Sequence, residues 1–287
     1  MVCCRPIKKI AVALLVLFVI SIAQASDFEV NSLHYKITSN IAPYTVAVTY
    51  PTPNLFSYYG EIIIPESVEH NGKAYKVTAI GISAFAGCRK LVSVSIPNTV
   101  VKIEQAAFSC CTGLKSVHIP NSVEEICQSV FFGCQALETL KLGKSLSRIG
   151  NGAFASAKKL KKLSVSPENR HFRSKDNVLY TCSFDTLVLC PAGKKRSFEI
   201  PAAVSVIGNY AFHGCDSLTS VSFHNGVRSL GENTFENCFM LNKVSIPKSV
   251  VSIGNSAFGY CLSMSEFVVD KGNKRYSSCD GVLCTKC

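Results

Sequence analysis

Cysteine is the residue type in this chain whose abundance and spacing could support chemistry. The sequence holds 15 cysteines, and thiolates can ligate metals or pair as disulfides. Six of them belong to a Phe-x-x-Cys motif: Cys88, Cys111, Cys134, Cys215, Cys238 and Cys261. A seventh motif has Ala157 in the place of the cysteine, after Phe154. Because a free cysteine packs as a small apolar residue, this exchange favours a column of buried thiols over a metal site or a set of disulfides.

The other candidate groups form no catalytic pattern. Cys279, Cys284 and Cys287 could chelate a metal, but no second cluster of ligands accompanies them. The six histidines are scattered along the chain, and the sequence contains neither G-x-S-x-G nor H-E-x-x-H nor a phosphate-binding loop. We therefore expect no enzymatic activity, no cofactor and no metal site.

The N-terminal segment 1–25 has the layout of a secretory signal peptide. Three basic residues precede an unbroken apolar run over residues 10–20, and the small-x-small sequence Ala23-Gln24-Ala25 follows. The run is shorter than the ~20 residues that span a bilayer, which argues against an uncleaved membrane anchor. We predict cleavage after Ala25, export of the mature chain, and no transmembrane span within it.

A regular internal repeat organises most of the mature chain. Phenylalanines recur with a constant step of 23 at positions 85, 108, 131 and 154, and again at 212, 235 and 258. Leucine and isoleucine columns keep the same step, and residues 91–96 and 114–119 fit the template L-x-x-L-x-L. A fixed period of this length is the signature of a leucine-rich repeat solenoid, whose stacked units share one core. The fold class that we predict is a β-rich leucine-rich repeat solenoid of short parallel strands and short helical turns.

An insertion interrupts the repeat between Phe154 and Phe212. Apolar runs on both sides of a polar turn near residues 183–186 predict an inserted β-hairpin, and part of this motif returns at an offset of 104. The pattern divides the chain into a signal peptide (1–25), an N-terminal β cap with the first rung (26–75), repeats (76–164), a hairpin interruption (165–197), repeats (198–269) and a partial second hairpin motif (270–287). Since Phe212 resumes the register of Phe154, we expect one continuous right-handed solenoid, with the hairpin projecting from it or extending its sheet.

Positive charge concentrates in the middle of the chain. Residues 141–175 hold ten Lys or Arg and one acid, whereas the whole mature chain carries a formal charge of +8. In the L-x-x-L-x-L template, residues between the apolar positions face outward. The outward basic side chains that we select as candidate ligand-binding residues are Lys115, His118, Lys141, Lys161, Lys162 and Lys243. A basic band of this kind suits an acidic protein or an acidic glycan. An ordinary solvated face is the alternative, and export disfavours nucleic acid.

Three stretches of the sequence point to a family. They are residues 252–261 (SIGNSAFGYC), residues 116–123 (SVHIPNSV), and the hairpin motif at 176–180 with Cys190-Pro191-Ala192-Gly193-Lys194. Together they resemble the BspA-like class of leucine-rich repeats, over about residues 27–287. The resemblance implies a secreted or surface-exposed protein that mediates adhesion to host proteins or neighbouring cells and carries no catalytic residues. A structural spacer in a larger surface protein, or a secreted inhibitor or decoy, are the alternatives.

Overall fold

The computed structural model of the protein describes residues 26–51, 57–193 and 196–286. Short β-strands and turns make up this part of the chain, and no helix occurs in it. The predicted signal peptide lies outside the described residues, so its cleavage stays a prediction.

A mixed sheet begins the fold at the N-terminal end. Its strands β1 (Phe28–Val30), β2 (Leu33–Ser39) and β3 (Thr45–Thr49) pair antiparallel in that order. The next strands are β4 (Gly60–Ile63), β5 (Ser67–His70), β6 (Lys73–Ile80) and β7 (Leu91–Ser95). Strand β6 runs antiparallel to β5 and parallel to β3, while β4 pairs in parallel with β7. The parallel pairing of β6 and of β7 is the arrangement that the later repeats continue.

Each repeat then contributes two strands. The first kind of strand is short and ends at the isoleucine that recurs every 23 residues, which we call the column isoleucine. These strands are β8 (Lys102–Ile103), β10 (Glu125–Ile126) and β12 (Arg148–Ile149), and they extend the sheet of β6. The strand that follows the column leucine forms a second parallel sheet: β9 (Ser116–His118), β11 (Thr139–Leu142) and β13 (Lys162–Val165). Aligned partners such as Ile103 and Ile126 are separated by one repeat period, so the sequence period sets the register. We call the outward surface of the second kind of strand the strand face.

The short helical turns predicted at Ala-Phe-x-x-Cys take a non-helical form. Two residues of each turn lie in the left-handed region, for example Ala106 at a φ of 56° and Cys110 at 60°. An α-helix needs right-handed dihedrals at every residue, so these turns cannot be helical. Their N–H groups bond to the neighbouring repeat instead, as in the 2.9 Å bond from Phe108 N–H to the Val130 carbonyl. The turns therefore stack into a third side of the solenoid.

The insertion forms three strands: β14 (Phe172–Lys175), β15 (Val178–Thr181) and β16 (Thr186–Leu189). They pair antiparallel in sequence order, and β16 then pairs in parallel with β18 (Val206–Ile207). Leu187 is aligned with Ile207, so β16 occupies the position of a column-isoleucine strand. The last strand of the insertion thus extends the sheet of the second run of repeats. Extension of a sheet is one of the two outcomes that the sequence predicts.

The second run of repeats follows the same plan. Its strand-face sheet contains β17 (Ser197–Glu199), β19 (Ser220–Ser222), β21 (Lys243–Ile246) and β23 (Glu266–Val269). The short strands β20 (Ser229–Leu230) and β22 (Ser252–Ile253) extend the sheet of β16 and β18. A second hairpin follows, with β24 (Tyr276–Cys279) antiparallel to β25 (Val282–Thr285).

Stacked phenylalanines fill the core of both runs. Ring centroids of successive residues from Phe85 to Phe154 lie 4.9, 5.2 and 5.5 Å apart, with interplanar angles of 5° or less. In the second run the centroids from Phe212 to Phe258 lie 4.9 and 5.4 Å apart. These separations are close to the ~4.8 Å between neighbouring strands, so each ring covers the next without distorting the sheets.

The predicted column of buried thiols is confirmed, since all six Phe-x-x-Cys cysteines are buried and unpaired. The thiols also donate hydrogen bonds to backbone carbonyls of the preceding repeat. The Sγ of Cys111 lies 3.0 Å from the Phe85 oxygen, and the Sγ of Cys134 lies 3.2 Å from the Phe108 oxygen. Burial raises the pKa of Cys88 to about 11 and that of Cys261 to about 12. These two thiols therefore remain protonated at neutral pH.

The two runs pack directly against each other across the insertion. Three side-chain contacts join the turns that carry Phe154 and Phe212: Lys158 to Asp216 at 2.6 Å, Ser156 to His213 at 3.3 Å, and Asn209 to Asn151 at 3.1 Å. The insertion supplies buried residues to both cores. Among the described residues, however, β13 and β17 do not pair, and β12 does not pair with β16. The runs therefore form one packed body in a shared register, but both sheets restart at the insertion.

Candidate binding surface

Three parallel strands bring most of the candidate residues together. His118, Lys141 and Ser164 are aligned across β9, β11 and β13, and Lys162 is aligned with Thr139 in the next row. Neighbouring strands lie ~4.8 Å apart, so these outward side chains form adjacent rows. The apolar residues between them are buried, which fixes the direction in which the polar residues point.

Lys115 and Lys161 complete the group from the residues just before β9 and β13. The N–H of Glu138 donates to the Lys115 carbonyl at 2.8 Å, and the N–H of Lys161 donates to the Glu138 carbonyl at 3.0 Å. These three residues therefore lie in one column along the stacking direction. We define the basic band as Lys115, His118, Lys141, Lys161 and Lys162, all of which are exposed.

One acid lies inside the basic band. Glu138 stands between Lys115 and Lys161, so the band contains four lysines against one glutamate. No ion pair joins a lysine of the band to a carboxylate of the described residues. Other basic residues of the charge-rich stretch do have such partners: Lys144 with Glu168, Arg148 with Glu125 and Lys158 with Asp216. The lysines of the band thus keep their charges directed toward solvent.

Lys243 lies apart from the basic band. It belongs to β21, in the strand-face sheet on the other side of the insertion. Its Nζ lies 2.7 Å from Glu266 Oε2 on the aligned residue of β23. This ion pair could have been predicted from the sequence, because Lys243 and Glu266 are one repeat period apart and therefore align on neighbouring strands. The structure therefore groups five of the six candidate residues and leaves Lys243 in a separate ion pair.

The repeats match a known family model. The model of the BspA-type leucine-rich repeat region matches residues 78–195 and 190–279, with six copies. This is more than half of the chain. The chain belongs to the BspA-type leucine-rich repeat family. The predicted family and the predicted fold class are thereby confirmed.

Solved structures show the same fold. A leucine-rich repeat protein from Eubacterium ventriosum is similar with a TM-score of 0.62 and 23% identity, covering 79% of this chain and 67% of that protein. The pneumococcal vaccine antigen PcpA has a TM-score of 0.54 and 18% identity, covering 88% of this chain and 83% of that chain. At these identities the likeness concerns the fold alone. No curated protein matches this BspA-type chain by sequence.

Two buried asparagines anchor the hairpins of this BspA-type solenoid. The Asn169 Nδ2 donates to the carbonyls of Gly143 and Leu146 at 2.9 Å each, and its Oδ1 accepts from the N–H groups of His171 and Phe172 at 2.8 Å each. Asn273 makes the corresponding four bonds for the second hairpin, at 2.8 to 3.0 Å. Neither asparagine is among the candidate residues predicted from the sequence. Their positions differ by 104, which equals the offset between the two hairpin motifs, and this coincidence is the signal that could have found them.

Two of the three C-terminal cysteines lie in one hairpin. Cys279 and Cys284 lie on facing strands of the second hairpin, and Cys287 lies outside the described residues. Within the part of the chain that the structure describes, no helix has the length and apolar character needed to cross a bilayer.

Proposed function

We propose that this chain is an exported binding module of the BspA-type family, located outside the cell or on its surface. In this proposal the basic band holds an acidic protein or an acidic glycan of a host or neighbouring cell. The module acts through adhesion and carries out no catalysis. The layout of residues 1–25 supports export, and family membership supports a protein-interaction role.

The observation that carries the proposal is the state of the basic band. Its four lysines are exposed on, or directly before, neighbouring strands and have no ion-pair partner among the described residues. A solenoid presents such a row on a rigid, extended surface, and its outward side chains can vary without disturbing the core. Clustered like charge raises the local concentration of an oppositely charged partner and steers its approach. A polyanion whose negative groups repeat along its length complements this geometry.

Retention on a sulfated glycan tests the proposal. Purified protein is applied to immobilised heparin and to the same matrix without heparin, in buffers of increasing NaCl concentration. We expect retention on heparin alone, and release as the Debye length falls from about 8 Å at 0.15 M salt to about 3 Å at 1 M.

Two results would contradict the proposal. Equal retention on both matrices would show that the positive charge of the basic band does not contribute to binding. Failure to bind heparin, acidic extracellular proteins and intact cells would instead favour the role of a structural spacer.

A further inference from the structure

An open cleft lies on the strand face where the insertion separates the two runs. The tip of the β14–β15 hairpin forms one wall and β17 forms the other, and they enclose about 490 Å³. Asp176 and Asn177 make the tip and both have positive φ values, 52° and 61°. This is the two-residue turn in which Asp and Asn are favoured, so the wall is held by a tight, well-defined turn.

One backbone edge of β17 faces this cleft. In a parallel ladder, alternate residues bond to the same neighbouring strand. The Arg196 carbonyl accepts from Thr219 N–H at 2.6 Å, and Ile200 N–H donates to the Ser222 carbonyl at 3.0 Å, so even-numbered residues face β19. The backbone groups of Ser197 and Glu199 therefore face the opposite way. No described strand pairs with that edge.

The hairpin satisfies the edge of β13 but leaves that of β17 open. Leu163 N–H donates to Asn177 Oδ1 at 3.3 Å, and Val165 N–H donates to Ser174 Oγ at 3.2 Å. These side chains take the place of a neighbouring strand along β13. No corresponding bond to the edge of β17 occurs among the described residues. The cleft thus presents the free backbone groups of an unpaired strand edge.

The walls of the cleft combine aromatic and acidic side chains. Tyr180, Phe198 and Pro201 supply apolar surface, and burial raises the pKa of Tyr180 to about 12. Asp176 and Glu199 are the charged residues of the walls, and both are exposed. Neither has an ion-pair partner among the described residues. The adjacent Lys175 and Arg196 do not line the cleft.

We propose that this cleft binds an extended peptide segment that alternates basic and apolar residues, by adding it as a strand along β17. Strand addition uses main-chain hydrogen bonds for affinity and side-chain pockets for specificity. The free N–H and C=O groups of Ser197 and Glu199 provide the main-chain hydrogen bonds, and the aromatic and acidic walls provide the side-chain pockets. The site is distinct from the basic band, because the two surfaces attract partners of opposite charge.

Three synthetic peptides test this site on the full protein. The first alternates lysine and valine, the second alternates glutamate and valine, and the third is the lysine peptide with N-methyl groups that remove its backbone donors. We expect saturable binding of the first peptide alone, with slowed amide hydrogen exchange at Ser197 and Glu199. Binding of the glutamate or N-methyl peptide as tight as that of the lysine peptide would overturn the proposal. So would unchanged exchange at Ser197 and Glu199 in the saturated protein.

A pair of variants separates the backbone from the charge. Glu199→Pro removes an N–H that faces the cleft and leaves the β17–β19 ladder intact, since proline is tolerated where the N–H points away from the sheet. Glu199→Gln removes the charge and keeps the N–H. We expect Glu199→Pro to weaken binding of the lysine peptide about tenfold more than Glu199→Gln does, because it removes a hydrogen bond in addition to the carboxylate. Equal effects of the two variants would contradict strand addition, and the N-methyl peptide gives the same test should Glu199→Pro fail to fold.

Discussion

Replacement of Asn169 by alanine tests how the insertion is held in the solenoid. The Asn169 side chain is 0% exposed and makes four hydrogen bonds, two to the turn after β11 and two to the start of β14. Through these bonds it joins the first run of repeats to the hairpin. Asn169→Ala removes all four bonds and leaves the Gly143 and Leu146 carbonyls and the His171 and Phe172 N–H groups without this partner.

The expected loss of stability follows from those four bonds. A typical intramolecular hydrogen bond contributes about 1 kcal/mol net, and a buried group left unpaired costs about 1–3 kcal/mol. Water entering the vacated space can satisfy some of these groups. We therefore expect Asn169→Ala to lower the free energy of unfolding by about 3–5 kcal/mol. Asn169→Asp should lower it by a similar amount, because it keeps the two acceptor bonds but turns a second oxygen toward two carbonyls.

Urea unfolding followed by circular dichroism measures the effect, together with hydrogen exchange at His171 and Phe172. Asn98→Ala is the matched control, since Asn98 is exposed and surface substitutions usually stay within about ±0.5 kcal/mol. The two amides should exchange faster in the Asn169 variants and at the normal rate in the control. A change below about 1 kcal/mol for Asn169→Ala, or unaltered exchange at both amides, would refute the role of this side chain as the anchor.

Two further predictions concern the core. Phe108→Ala should lower the free energy of unfolding by about 3–5 kcal/mol, because Phe108 stacks between two phenylalanine rings. The control Lys115→Ala should change it by less than about 0.5 kcal/mol. Equal melting temperatures of the two variants would show that the assigned repeat register is wrong. The raised pKa values of Cys88, about 11, and Cys261, about 12, mean that the fold favours the protonated thiols. Stability should therefore be complete below pH ~9 and fall above it, by up to about 1.4 kcal/mol per pH unit for each such thiol. The urea midpoint at pH ~10 should lie below that at pH ~8, and by less when both cysteines are replaced by alanine; an unchanged midpoint in the parent protein would contradict the burial of these thiols.

The periodic features of the fold could be predicted from the sequence because one residue type recurs in one environment. Phe108 and Cys111 occupy columns in which every unit makes the same contacts, so their burial follows from the constant step of the repeat. The direction of Lys141 and Lys162 follows from the alternation along the strands. The non-helical form of the turns was missed, although Gly87, Gly133 and Gly214 stand with positive φ at the position that corresponds to Cys110. Glycine favours the left-handed region, so this column was a signal that the sequence offered.

The features that depend on the insertion were less accessible. The anchoring asparagine occurs once in each hairpin motif, as Asn169 and Asn273, and has no counterpart in the 23-residue repeat. Only a comparison of the two motifs at their offset of 104 reveals it. The separation of Lys243 from the basic band arises because both sheets restart at the insertion. The cleft beside β17 exists because the side chains of Ser174 and Asn177 accept hydrogen bonds from the edge of β13. No such bond reaches the facing edge of β17 among the described residues. Such contacts between segments without a common period are set by the packed structure.

Charge reversal within the basic band tests the central claim most directly. The variant Lys141→Glu, Lys161→Glu, Lys162→Glu is compared with a control of equal net charge, Lys90→Glu, Lys248→Glu, Lys271→Glu, whose residues are exposed outside the band. Affinity for heparin at physiological salt is measured for both variants and the parent, with circular dichroism to verify the fold. We expect the band variant to lose at least about tenfold in affinity, or about 1.4 kcal/mol, and the control to lose much less. Equal losses would show that net charge alone drives binding, and undiminished affinity of the band variant would contradict a ligand site on this face.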